Sequence, residues 1–316
     1  MKSTVSALLA CLAGLACNAP APPPTVAPID VPAPDRLARL EAALRSRIEP
    51  SGAEVGLYYR TLETEPDSVL IDPDLRMHAA STMKVPVMMR LFLDHQEGIR
   101  SLDDEIEVVR TFRSIVDGST FDLPPGSDSD TTFYGRVGER VPIREMIERM
   151  ITWSSNLATN ILIQEADPDR VTAMLRALGA DSMEVLRGVE DLKAFDAGLS
   201  NTTTARDLGV VMRAVTGSDR FTEASRAAML SILERQHFTE NIPAGLPPGT
   251  RVANKTGWIT GINHDAAVVF PDDAPPYVLV VMIRGHPAED QGTALAAELS
   301  RLVWESHTGR GVGGDP

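Results

Sequence analysis

A chain of 316 residues, 43% hydrophobic and 23% charged, has the composition of an ordinary soluble globular protein and is long enough to bury a substantial core. Its formal net charge of −14 argues against a nucleic-acid partner, which requires a basic face. Both cysteines, Cys11 and Cys17, lie near the N-terminus, and the six histidines show no metal-ligand spacing, so neither a disulfide, a metal nor another cofactor is expected.

In chain order, Met1-Lys2 and the apolar run from Val5 to Ala16 read as a targeting segment too short to span a bilayer. Ala13-Gly14-Leu15-Ala16-Cys17 resembles a bacterial lipoprotein signal in which Cys17 becomes the lipidated first residue; a plain secretory signal cut nearby is the alternative. Residues 1–17 are thus expected to be a signal and 18–34, rich in proline and alanine, an extended linker. A folded domain is expected over 35–308, followed by a short tail over 309–316.

Within that domain Asp35 is expected to cap a helix over Arg36 to Ile48, and Glu54–Thr61 with Ser68–Asp72 suggests a hairpin. A helix is expected from Ser81, with Pro86 kinking or delaying its first turn. Thr111 to Val137 is a long polar segment of the kind that often lines a binding site. Helical spacing follows over Pro142–Trp153, Asn156–Ala166, Pro168–Leu178, Thr204–Val215 and Phe221–Gln236, interrupted by an irregular stretch over Leu186–Asn201. Three β-rich runs, Thr250–Trp258, His264–Phe270 and Tyr277–Arg284, precede a last helix over Asp290–Ser306. This order suggests one sheet built from both chain ends around an all-helical insertion.

Three short motifs carry chemistry. In Ser81-Thr82-Met83-Lys84 a helical spacing sets hydroxyl and amine one turn apart, and the apolar neighbours disfavour the charged amine. A serine beside such a base is an activated nucleophile; an exposed helix cap followed by a surface lysine is the bland alternative. The chain holds only four lysines, at positions 2, 84, 193 and 255, against 26 arginines. Arginine cannot give up its proton, so Lys84 looks chosen for its amine. Ser154-Ser155-Asn156 lies between two helices, and Lys255-Thr256-Gly257 lies on a β-rich run.

These three motifs, in this order, resemble the signature set of class A β-lactamases and penicillin-binding proteins. The resemblance covers about Asp35 to His307 and implies an α+β fold, a five-stranded antiparallel sheet flanked by helices with an all-helical lobe. It implies that Ser81 attacks a β-lactam carbonyl, that Lys84 is its base, and that Ser154, helped by Lys255, relays a proton to the leaving nitrogen. It also implies that Asn156 orients the acylamide side chain and that Lys255, Thr256 and Gly257 bind the substrate carboxylate. The backbone N–H groups of Ser81 and Trp258 would form the oxyanion hole.

Deacylation in that family needs a glutamate, and Glu190, after Arg187-Gly188-Val189, is the candidate, with Asp191 the substitute if the register slips by one. The loop departs from the family pattern: two residues separate Arg187 from Glu190, Ala194 stands at the loop asparagine, and Asn201 stands where an aspartate is expected. Ser155 likewise replaces the aspartate of the second motif. His264, or else Arg251 or Arg284, is a candidate for a further contact with the substrate carboxylate. The expectation is an exported, monomeric, lipid-anchored serine β-lactamase acting on a small-molecule β-lactam. The alternatives are a D-Ala-D-Ala carboxypeptidase or esterase of the same fold, and a β-lactam sensor that stays acylated.

Overall fold

The computed structural model describes residues 33–310 apart from 287; the expected signal segment, Cys17, most of the linker and residues 311–316 lie outside the described residues. The chain begins with α1 (Ala33–Ile48), β1 (Glu54–Thr61), β2 (Ser68–Ile71) and the short β3 (Met77–His78). A 3₁₀ turn over Ala80–Met83 leads into α2 (Lys84–Gln96). Next come β4 (Glu105–Glu107), β5 (Thr111–Arg113), β6 (Thr120–Asp122) and β7 (Arg140–Pro142). Helices α3 (Ile143–Thr152), α4 (Asn156–Ala166), α5 (Pro168–Leu178) and the single-turn α6 (Leu192–Asp196) follow. The rest is β8 (Thr202–Thr203), α7 (Ala205–Gly217), α8 (Glu223–Leu233), β9 (Arg251–Ile259), β10 (Ile262–Phe270), β11 (Tyr277–Arg284) and α9 (Glu289–Thr308).

β1, β2 and β9 to β11 form one five-stranded antiparallel sheet in the order β2-β1-β11-β10-β9. Successive side chains along a strand point to opposite faces, so each face has its own core. Val55, Leu57 and Tyr59 pack with Leu40 and Leu44 of α1 and Leu295, Leu299 and Val303 of α9. Tyr58, Ala266, Val280 and Met282 face the other way, toward α7 and the helical lobe. Gly209 of α7 lets that helix lie against Tyr58, since a Cβ there would come within 2.6 Å of the ring.

Every residue of α2 from Lys84 to Asp94 is buried, which makes it the central helix of the lobe. The 3₁₀ turn absorbs the conflict with Pro86, which now falls at the third position of α2, where a backbone N–H has no intrahelical partner to lose. At the other end of the chain α1 is already under way at Ala33, so Asp35 lies in its first turn rather than capping it. The long polar segment holds the β5–β6 hairpin and two 3₁₀ turns, over Pro125–Ser127 and Thr131–Arg136. Its Phe133 is fully buried, and Asp130 pairs with Arg149 of α3 at 2.9 Å, so the segment is tied to the lobe.

Candidate active site

Ser81 sits on the 3₁₀ turn that faces β9, an edge strand of the sheet. The turn is braced on several sides. The β3–β8 pair and a hydrogen bond from Ala79 N to Asn201 O (2.8 Å) hold its entry, and Thr82 Oγ1 donates to Ala79 O at 2.6 Å. Ala80 adopts φ 46°, a left-handed conformation unusual for a residue with a Cβ, and its N–H donates to His78 Nδ1 at 3.0 Å. Gly257 permits the close approach of β9: a Cβ there would stand 3.0 Å from both Ser81 N and Thr82 N.

Lys84 is fully buried, one turn beyond Ser81. Its Nζ lies 2.6 Å from Ser154 O, 2.9 Å from Asn156 Oδ1 and 3.1 Å from Ser154 Oγ. Burial pushes its pKa down to about 7, against a smaller opposing pull from the Asp128 and Glu190 carboxylates. A neutral amine has two hydrogens and one lone pair. The two carbonyl oxygens take the hydrogens, which leaves the lone pair for a hydroxyl proton.

Ser154, between α3 and α4, is held at φ 56°. Its Oγ is shared, since Lys255 Nζ approaches it at 3.1 Å from the β9 side and donates to Thr256 O at 2.9 Å. Lys255 is fully buried, and desolvation with the nearby Lys84 amine drives its pKa well down. One hydroxyl thus lies between two amines, both pushed toward their neutral forms. Thr256 is buried beside Lys255, whereas Trp258 is 55% exposed at the end of the strand.

Ser155 is the N-cap of α4, its Oγ accepting from Ala158 N at 3.2 Å. Asn156 is fixed at both ends of its amide, accepting from Lys84 and donating from Nδ2 to Ser127 O at 2.8 Å. Sequence reasoning missed Asp128, whose carboxylate accepts from Asn156 N at 2.9 Å and Leu157 N at 2.8 Å. The signal that pointed toward it was the long polar segment as a whole, not the residue.

Glu190 lies on the Leu186–Asn201 loop at φ 63°, exposed, with its charge felt at Lys84. The loop is latched by two asparagines. Asn160 of α4 donates to Val189 O at 2.9 Å and accepts from Val189 N at 2.6 Å, immediately before Glu190. Asn201 accepts from Leu186 N (2.7 Å) and Arg187 N (3.1 Å) and donates to Arg187 O (2.8 Å). The Arg187 guanidinium donates to Leu199 O and Gly188 O, so loop carbonyls stand where a carboxylate partner was expected. Asp191 is committed elsewhere: it caps α6 through Ala194 N at 3.1 Å and accepts from Ser114 Oγ and Ile115 N, both at 2.9 Å.

The expectation for His264 needs correcting. The ring is fully buried, its Nε2 donates to His78 O at 3.0 Å and its Nδ1 accepts from Ile283 N at 3.2 Å. Both nitrogens are committed to backbone, and burial lowers the pKa to about 4, so the neutral ring ties β10 to His78, just before the turn that carries Ser81. The two arginines named with it are paired as well, Arg251 with Glu234 at 2.6 Å and Arg284 with Glu54 at 2.7 Å.

An antiparallel sheet whose edge strand faces a Ser-x-x-Lys turn, with a second serine bridging two buried lysines, defines the active-site-serine hydrolases that work with a lysine rather than a histidine. Residues 39–307 match the Beta-lactamase enzyme family, and the chain belongs to it, as a hydrolase of the serine β-lactamase class. It is 28% identical to a β-lactamase of Streptomyces fradiae over 87% of this chain and 89% of that one. An ancestral class A β-lactamase superposes with TM-score 0.73 at 26% identity, covering 84% of this chain and 99% of that one. A mutant of PBP-A, solved as an acyl-enzyme complex with penicillin G, gives TM-score 0.74 at 26% identity over 87% of this chain and 98% of that one.

Proposed function

We propose that the protein opens the β-lactam ring through an acyl-enzyme on Ser81. The observation that carries this reading is the Ser154 hydroxyl held between two desolvated amines, with the turn that carries Ser81 packed against Gly257 on the same strand as Lys255. Ser81 Oγ attacks the lactam carbonyl carbon, and its proton passes to Lys84, directly or through a water. The oxyanion is received by the Ser81 and Trp258 N–H groups. As the C–N bond breaks, Ser154 gives its proton to the departing nitrogen and is reprotonated from Lys84 or Lys255. The substrate carboxylate lies at Lys255 and Thr256, beside Gly257, where its charge favours a protonated Lys255.

Glu190 then activates the water that hydrolyses the ester, and Asn156 orients the acylamide side chain through the Nδ2 hydrogen not given to Ser127. His264 has no place in this scheme. The N-terminal pattern supports export and anchoring by a lipid on Cys17, with the catalytic domain acting as a monomer.

A second reading is an acyl-enzyme former that turns over slowly, favoured by the extra residue before Glu190 and the exposed position of its side chain. Purified protein mixed with a chromogenic cephalosporin, followed by intact mass measurement, separates the two. Hydrolysis without lasting adduct supports the first reading, and a persistent adduct the second. Ser81→Ala abolishes covalent labelling under either; labelling that survives places the nucleophile elsewhere.

A further inference from the structure

The second motif lacks a charge of its own, yet a carboxylate sits against it. Asp128 reaches in from the long segment between β6 and β7 and meets the start of α4. Its Oδ1 accepts from Asn156 N (2.9 Å) and Asp130 N (3.0 Å); its Oδ2 accepts from Leu157 N (2.8 Å) and Ser155 Oγ (3.3 Å). The first free N–H groups of α4 are thereby satisfied by an anion at the positive end of the helix. The neighbouring Ser127 carbonyl takes Asn156 Nδ2, so two consecutive residues of one loop fix both the backbone and the amide of Asn156. The Oδ1 of that same amide holds Lys84 Nζ.

We propose that Asp128 is a positioning residue for acylation, orienting Asn156 and setting the charge balance at Lys84 from a loop outside all three motifs. The inference rests on the reading that Ser81 is acylated with Lys84 as base. The charges facing Lys84 are Lys255 from β9, Glu190 from its loop and Asp128 itself. Around Asp128 stand Tyr134, whose hydroxyl pKa is raised chiefly by burial and also by this carboxylate, and Asp130, which is engaged with Arg149. Asp128 favours the protonated amine at Lys84, so removing its charge shifts that amine toward its neutral form at lower pH.

Single-turnover acylation by a fluorescent penicillin, measured against pH, tests this. Asp128→Asn keeps one acceptor oxygen and loses the charge. It is expected to acylate about tenfold more slowly at its plateau, the loss of one charge-assisted hydrogen bond, with the acid limb of the profile moved to lower pH. Asp130→Asn loosens the same loop through its Arg149 contact and is expected to leave that limb in place, which separates positioning from loop anchoring. Asp128→Ala is expected to acylate more slowly still, and Ser155→Asp in that background restores part of the rate by returning an anion to the start of α4. Acylation of Asp128→Asn within twofold of the parent, with an unmoved limb, overturns the proposal. So does an identical shift in Asp130→Asn. Should Asp128→Asn fail to fold, the Asp128→Ala/Ser155→Asp variant decides, because no recovery of rate there is equally fatal. Labelling of Ser81→Ala would instead sink the underlying reading and leave a distinct signature.

Discussion

Lys84 joins burial to reactivity. In the proposed mechanism acylation needs the neutral amine, and burial lowers its pKa to about 7, so the acylation rate is expected to rise with pH through about 7 and then level off. Below that point each unit of acidification costs about tenfold, because the neutral fraction falls by that factor. Lys84→Arg keeps the charge but has no lone pair to offer, and its acylation is expected to fall at least a hundredfold; a near-normal rate would reduce Lys84 to a fixed charge. Two adjacent carboxylates make the complementary case for the second half of the cycle. Asp191 is engaged by three donors, whereas Glu190 is exposed and electrostatically coupled to Lys84. Glu190→Gln should therefore acylate at its normal plateau rate, above the acid limb, and accumulate the penicilloyl adduct, visible by intact mass, with deacylation slowed about 10²–10⁴-fold. Trapping by Asp191→Asn in its place would move the base by one residue.

At the scale of elements, the legible parts were those with a repeat or a local signature. α4 and α5 fall on their expected bounds, and the three C-terminal strands were recognised from composition alone. The Ser81/Lys84 spacing and the two later motifs are legible in the chain; Lys84, Ser154 and Lys255 are brought together in space, and the turn carrying Ser81 lies against Gly257 on the strand that bears Lys255. His264 was misjudged because β10 is buried on both faces from Ile262 to Val269, which removes the alternation that would have shown where its ring points. Asp128 was missed because its partners are 28 and 29 residues away, with no periodicity to link them. The two asparagine latches of the Leu186–Asn201 loop escaped for the same reason. Asn201 alone holds three loop groups, and Asn201→Ala leaves buried N–H groups unanswered at about 1–3 kcal/mol each. The expected result is a melting temperature lower by several degrees and a larger loss in deacylation than in acylation. An unchanged melting curve would mean the loop holds its shape through Asn160.

For the whole molecule, the proposed division of labour between an N-terminal anchor and a catalytic domain is open to a direct check. Cys17→Ser is expected to move the protein from the membrane fraction to the soluble fraction while acylation of Ser81 proceeds unchanged; unaltered fractionation would favour a plain secretory signal. The scarcity of lysine has a practical consequence for the folded domain. Lys84 and Lys255 are sealed inside, and Lys2 belongs to the segment expected to be cut away. Lys193 remains, its side chain 56% exposed and bridging to Asp117 and Ser119 on the turn joining β5 to β6. An amine-reactive dye would therefore find one side-chain handle on the folded domain, three residues past Glu190. A fluorophore there would report on the environment of the Leu186–Asn201 loop with no cysteine engineered in.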